Sequence, residues 1–220
     1  MICGWFCAVR RCADHCAICG GRHIMQTGQM IFLALCAVVF IIGVALFIYK
    51  KAHPDTVENE KRKVSKRLRT FAAPRGFRVL DNVRLVSGGL SGWADHVLVG
   101  YFGVLLVYDL CYGGEYYGAN DDKQWIINDG GKRYAADNPR IHAQQCSGRV
   151  ITLLREAGYR VNVDSVAVIT VGGKKTESFL KADNVIKLSK LGAYLGRGKF
   201  DEDKGLDVAK AAAVLEAASR

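Results

Sequence analysis

Proline is scarce in this chain: three residues in 220, at Pro54, Pro74 and Pro139. That excludes a long proline-rich linker. Internal repeats are absent, which removes solenoids and propellers. Acid is in short supply too, with 21 Asp and Glu against 31 Lys and Arg, a formal charge of +10. The excess is uneven. Residues 1–69 hold 11 basic side chains against 4 acidic ones, and residues 70–220 hold 20 against 17. A nucleic-acid binder is expected to concentrate its surplus on the folded part. Here most of it flanks an apolar segment, where Lys and Arg set topology or meet lipid headgroups. The length suits one domain with additions.

What is present is a long apolar run. Residues 30–49 carry no charge, and thirteen of the twenty are Leu, Ile, Val or Phe. At 1.5 Å per residue such a helix is roughly 30 Å long, the thickness of a bilayer's hydrocarbon core. A cleaved signal peptide would have a shorter run of about 7–15 residues and a small-residue cleavage site. This run ends in Tyr49-Lys50-Lys51. We therefore expect one transmembrane helix. Arg10, Arg11 and Arg22 precede it, and Lys50, Lys51, Lys61, Arg62, Lys63, Lys66, Arg67 and Arg69 follow. The larger count stays inside, which places the C-terminal domain in the cytoplasm at the cell membrane.

Five of the eight cysteines fall in the first nineteen residues. Cys16-x-x-Cys19 with Cys12 and His23 has zinc-ligand chemistry. Met25 and Met30 both precede the apolar run, and a start at Met25 would instead leave residues 1–24 as an untranslated extension. Cys111 and Cys146 read as ordinary core residues.

Beyond the span, residues 56–70 read as a charged helix with the apolar stripe Val57, Val64, Leu68, Phe71 and a basic opposite face. That face either meets anionic lipid or is solvated. Three strands follow: 77–86, interrupted by Asp81-Asn82; 94–102; and 103–111, whose apolar run Val104-Leu105-Leu106-Val107 fits a strand covered on both faces. Residues 113–137 read as loop with one short strand near 124–128. Asn138-Pro139 opens a helix that runs to Glu156 and stops at Gly158. Strands are expected near 166–171 and 184–188, and a closing helix over 203–218. Gly172-Gly173-Lys174-Lys175-Thr176 lacks the first glycine of a phosphate loop and reads as a turn.

The runs Phe77–Leu85, Ala94-Asp95-His96-Val97-Leu98-Val99-Gly100, Gly103–Val107, Gly114-Glu115-Tyr116-Tyr117-Gly118 with Trp125, and Asn138-Pro139 together resemble the nuclease-related domain, NERD, over roughly residues 57–171. The resemblance implies the PD-(D/E)xK nuclease superfamily, often in a bacterial, membrane-anchored setting. It also implies Mg²⁺-dependent phosphodiester hydrolysis. In that scheme an aspartate and a Glu-x-Lys pair on the next strand hold the ion and steady the attacking water. Asp95 matches the aspartate. Tyr108 stands where Glu is expected and Leu110 where Lys is expected. Asp109 is one position off, so its side chain should take the opposite face; the next lysine in the chain is Lys123. On the family's first helix, Glu58 or Glu60 corresponds to its glutamate. His142, Gln144 and Gln145 lie where it carries a helical glutamine.

The expectation is thus an α/β fold, a restriction-endonuclease-like mixed sheet flanked by helices and preceded by one transmembrane helix. The segments are a tail (1–29), the span (30–49), a basic juxtamembrane helix (50–70), a NERD-like core (71–171) and a completing strand and helix (172–220). The function expected is a catalytically degenerate domain that binds DNA, RNA or a protein partner at a lipid membrane, with enzyme activity left open as that of a metal-dependent phosphodiesterase. Two rivals remain: an active Mg²⁺ nuclease using Asp95 with Asp109 or Glu115, and a structural membrane-surface module.

Overall fold

A computed structural model describes residues 31–33, 35–48, 57–87, 89–171 and 176–219. The cysteine-rich tail with its zinc-like spacing, Lys50-Lys51 and the 172–175 turn lie outside these residues. The chain divides into two units, Met1–Pro54 and Asp55–Arg220. In the first, helix α1 (Ile31–Ile48) is long and apolar enough to cross a membrane. Its Leu, Ile, Val and Phe side chains are exposed, as lipid-facing residues are.

The second unit opens with α2 (Val57–Ala72), followed by β1 (Arg78–Ser87), β2 (Leu90–Gly100) and β3 (Gly103–Leu110). These three strands are antiparallel neighbours. Helix α3 (Pro139–Glu156) then crosses over to β7 (Val163–Ile169), which lies parallel to β3, and β9 (Val185–Lys187) lies parallel to β7. The central sheet order is β1-β2-β3-β7-β9. Its two faces are both covered, which is why β3 is apolar almost throughout. Val64 and Leu68 of α2 and Leu191 and Leu195 of α4 (Leu191–Leu195) cover one face. Ala143, Cys146, Val150 and Leu154 of α3 and Val208, Ala211 and Leu215 of α5 (Val208–Ala218) cover the other. This is the restriction-endonuclease-like mixed sheet that the sequence implied.

Three expectations need correction. Residues 113–137 are not mainly loop but hold three strands, β4 (Glu115–Ala119), β5 (Gln124–Asp129) and β6 (Lys132–Asp137). With β8 (Glu177–Lys181) they form a second sheet, ordered β6-β5-β4-β8. Its glycines are turn and close-approach positions: a Cβ on Gly118 would sit 2.3 Å from a Trp125 ring carbon. Second, Val57 is half exposed and lies outside the α2 stripe, whose buried members are Glu60, Val64, Ser65, Leu68 and Ala72. Third, the closing helix begins at Val208, where Asp207 caps it by accepting from the Lys210 N–H. The α3 start stands as expected: Asn138 accepts from the Arg140 N–H, with Pro139 in the first turn.

Candidate active site

Strand alternation fails at two facing positions. In β1, Leu80 and Val83 both enter the α3–α5 core although they are three residues apart, and Asn82 between them has φ +54°. In β2, Ala94 and Val97 do the same. The register pairs Asp81 with His96 and Val83 with Ala94, so Asn82 stands opposite Asp95. Both strands change facing here with no extra residue in either, so the register stays one to one. Consequently Asp95 and His96, though consecutive, both leave the α3 face and reach the α2 side.

Asp95 is buried, and both its oxygens are engaged. Lys61 Nζ on α2 donates to Oδ1 at 2.5 Å, and the Asp109 main-chain N–H donates to Oδ2 at 2.9 Å. The second bond exists because the β2–β3 ladder ends at His96↔Val107, leaving the next N–H free for a side chain. His96 lies between two carboxylates: Nδ1 is 2.6 Å from Asp81 Oδ1 and Nε2 is 2.8 Å from Asp109 Oδ2. Asp81 also accepts from Ser65 Oγ at 2.9 and 3.0 Å and from Arg69 at 2.6 Å. The result is a polar seam that ties α2 to three strands.

The seam fixes its own protonation. Burial by itself would lower the pKa of His96, but hydrogen bonds to Asp109 and Asp81 outweigh it and raise it to about 9. The ring is therefore an imidazolium donating from both nitrogens. Partial burial works to raise Asp81, yet its bonds from His96, Arg69 and Ser65 hold it well below the usual carboxylate range. Burial pushes Asp109 up, and the imidazolium pulls back without fully offsetting it. Desolvation would lower Lys61, but its bond to Asp95 keeps it raised and charged. Asp109 Oδ1 is buried with no hydrogen-bond partner.

The other sequence candidates lie apart from this seam. Glu60 is buried and pairs at 2.5 Å with Lys63 on its own helix. His142 packs on Trp93, ring centroids 5.0 Å apart, and lies 3.7 Å from Asp137. Gln144 lines a pocket beside α3, and Gln145 is exposed. Those three belong to the helix on the other face of the sheet. Glu115 accepts from Tyr117 and Asn128 within the second sheet. Among the described residues no group of three or more His, Cys, Asp or Glu stands ready to hold a metal.

Residues 57–170 match the family model for NERD, the nuclease-related domain. The chain belongs to the NERD family. No curated protein and no solved structure matches it. On β3, Tyr108 and Leu110 point into the α3–α5 core. Tyr108 is 2% exposed and donates its hydroxyl to the Trp93 carbonyl at 2.8 Å. Asp109 takes the α2 face instead. Looking only downstream of β3 for a lysine missed Lys61, which comes from the first helix. Its signal was spacing: Lys61, Val64, Ser65 and Leu68 share one helix face by the i, i+3, i+4, i+7 rule. Asp81 and His96 were visible as polar interruptions of their strands, but not as partners of Asp109.

Proposed function

We propose that this NERD domain is catalytically degenerate: α1 anchors it to a membrane, and it binds nucleic acid without cleaving it. The observation that carries this reading is that Tyr108 and Leu110, which the resemblance sets at the family's acid and lysine positions, are buried in the core. Mg²⁺ asks for several oxygen ligands in near-octahedral geometry. The donor set does not fit that requirement. Asp95 has both oxygens taken by Lys61 and a backbone N–H, and Asp109 Oδ2 is taken by His96. Releasing Asp95 for a metal would leave a cation beside the ion. Support for nucleic acid as the partner comes from the nuclease-related family; charge adds little to it, since residues 70–220 carry 20 Lys and Arg against 17 Asp and Glu.

The full chain in detergent tests this. Incubated with single- or double-stranded DNA and Mg²⁺ or Mn²⁺, it is expected to leave the DNA intact while retarding it in a salt-sensitive way. Metal-dependent cleavage that Asp95→Ala removes would refute the proposal.

One observation favours the rival reading of an active nuclease: Lys61 brings to Asp95 the cation that the third strand lacks. In that reading Lys61→Ala abolishes cleavage with Asp95→Ala. In ours neither variant has cleavage to lose.

A further inference from the structure

A pocket of about 400 Å³ opens on the face of the sheet away from the Asp95 seam. It exists because β9 is only three residues long and pairs with β7 from Ala167 onward, so the β7 edge at Ser165 has no β9 neighbour. Helix α3 forms one wall, and Asn120, Trp125 and Ala182 from the second sheet and its flanking turns form another. The rim is already built. Asn120 donates to Asp183 Oδ2 at 2.9 Å and accepts from the Asp183 N–H at 3.0 Å. Asn184 turns the chain into β9 with φ +58°. A preformed rim lowers the ordering cost of binding.

The lining has two characters. Tyr108, Trp125, Ala143 and Val185 give an apolar floor, while Gln144, Ser147, Ser165 and Asn184 bring amides and hydroxyls to it. Arg140 is more than half exposed at the pocket, with only a 4.0 Å approach to Asp183. Apolar walls with a few convergent polar groups are the usual form of a small-molecule site. Amide side chains match the donor–acceptor edge of a nucleobase, and a guanidinium matches phosphate.

From this geometry we propose that the pocket binds a single nucleotide, its base beside Val185 and Gln144, its phosphate at Arg140. The nucleotide is either free or the end of a strand. The inference stands apart from the proposed function, because the pocket is separate from the Asp95 seam and requires neither cleavage nor duplex binding.

Calorimetry on the full chain in detergent tests it, using AMP, GMP, CMP and UMP, the matching nucleosides, inorganic phosphate and a 5′-phosphorylated trinucleotide. At least one mononucleotide is expected to bind with Kd at or below about 1 mM. Gln144→Ala should weaken it about tenfold, the loss of roughly 1.4 kcal/mol. Arg140→Ala should weaken the nucleotide about tenfold and leave its nucleoside unchanged. Both side chains are largely exposed, so melting temperature should hold. Tighter binding of the trinucleotide than of any monomer assigns the site to a strand end; the reverse assigns it to free nucleotide. The proposal falls if no nucleotide or trinucleotide binds in that range, if inorganic phosphate binds as tightly, or if both variants bind as the parent does.

Discussion

His96 is the residue on which the seam turns. A neutral imidazole has one N–H and cannot donate to two carboxylates, so with Asp81 and Asp109 both ionised the native contacts require the charged ring. Against an ordinary value of 6.5, a folded-state pKa of about 9 corresponds to about 3 kcal/mol of stabilisation. Because the folded value is the higher one, that contribution is complete below pH 6.5 and disappears as pH rises through about 9. Asp81 works in the opposite sense: its folded value is depressed, so its share is present above pH 3.8 and fades as pH falls below it. Asp109, raised by burial, opposes Asp81 on the acid side, so the alkaline limb is the cleaner readout for His96. Urea unfolding at a series of pH values should show stability falling by a few kcal/mol between pH 7 and 10. His96→Leu should flatten that fall and cost about 3–5 kcal/mol at pH 7, since the fully buried Asp109 carboxylate would lose its cationic partner while Asp81 keeps only Arg69 as a cation. Adding Asp109→Asn should recover part of the loss. An unchanged alkaline limb in His96→Leu would show that the ring does not carry this charge.

The same question at the level of an element concerns β3. Tyr108→Glu with Leu110→Lys would write the Glu-x-Lys that the family resemblance leads one to expect, but alternation aims both side chains into the α3–α5 core. Burying two charges there without partners costs several kcal/mol, so the double variant should unfold or melt far below the parent, and gain no cleavage. Circular dichroism melting and a plasmid-nicking assay read the two outcomes. A stable, cleaving variant would mean that β3 can slip by one residue. Part of this was legible in the chain: the α3 cap at Asn138 and the three consecutive strands follow from local spacing, and the Tyr108/Leu110 mismatch from the family resemblance. The second sheet was hidden because its strands are short, polar on one face and dense in glycine, which reads as loop until Gly118 is seen against Trp125 and β8 pairs with β4 from 62 residues away. The Asp95 seam was half hidden for a different reason. Its partners come from three strands and a helix, and the paired change of facing at Asn82 and Asp95 breaks the two-residue period on which facing was inferred.

Across the whole molecule the question is what the basic excess after α1 does. In the folded unit much of it is already engaged: Lys61 with Asp95, Lys63 with Glu60, Arg69 with Asp81, and Arg67 with the Leu188 carbonyl. Helix α2 is therefore a poor free cationic strip, which counts against lipid adhesion as its main purpose. Topology is different, because the positive-inside effect acts on the chain as it inserts, before Lys61 meets Asp95. Eight Lys and Arg follow the span within reach and three precede it, so folding does not cancel the bias. Protease added to intact cells or spheroplasts should then leave a C-terminal epitope tag uncut, and permeabilisation should expose it. Replacing Lys50, Lys51, Lys66 and Arg67 by Gln should raise the fraction cut from outside, without touching the Asp95 seam. A parent chain whose tag is removed from outside would reverse the orientation, and would place the nucleotide pocket and the Asp95 seam on the outer side of the membrane, away from cytoplasmic nucleic acid.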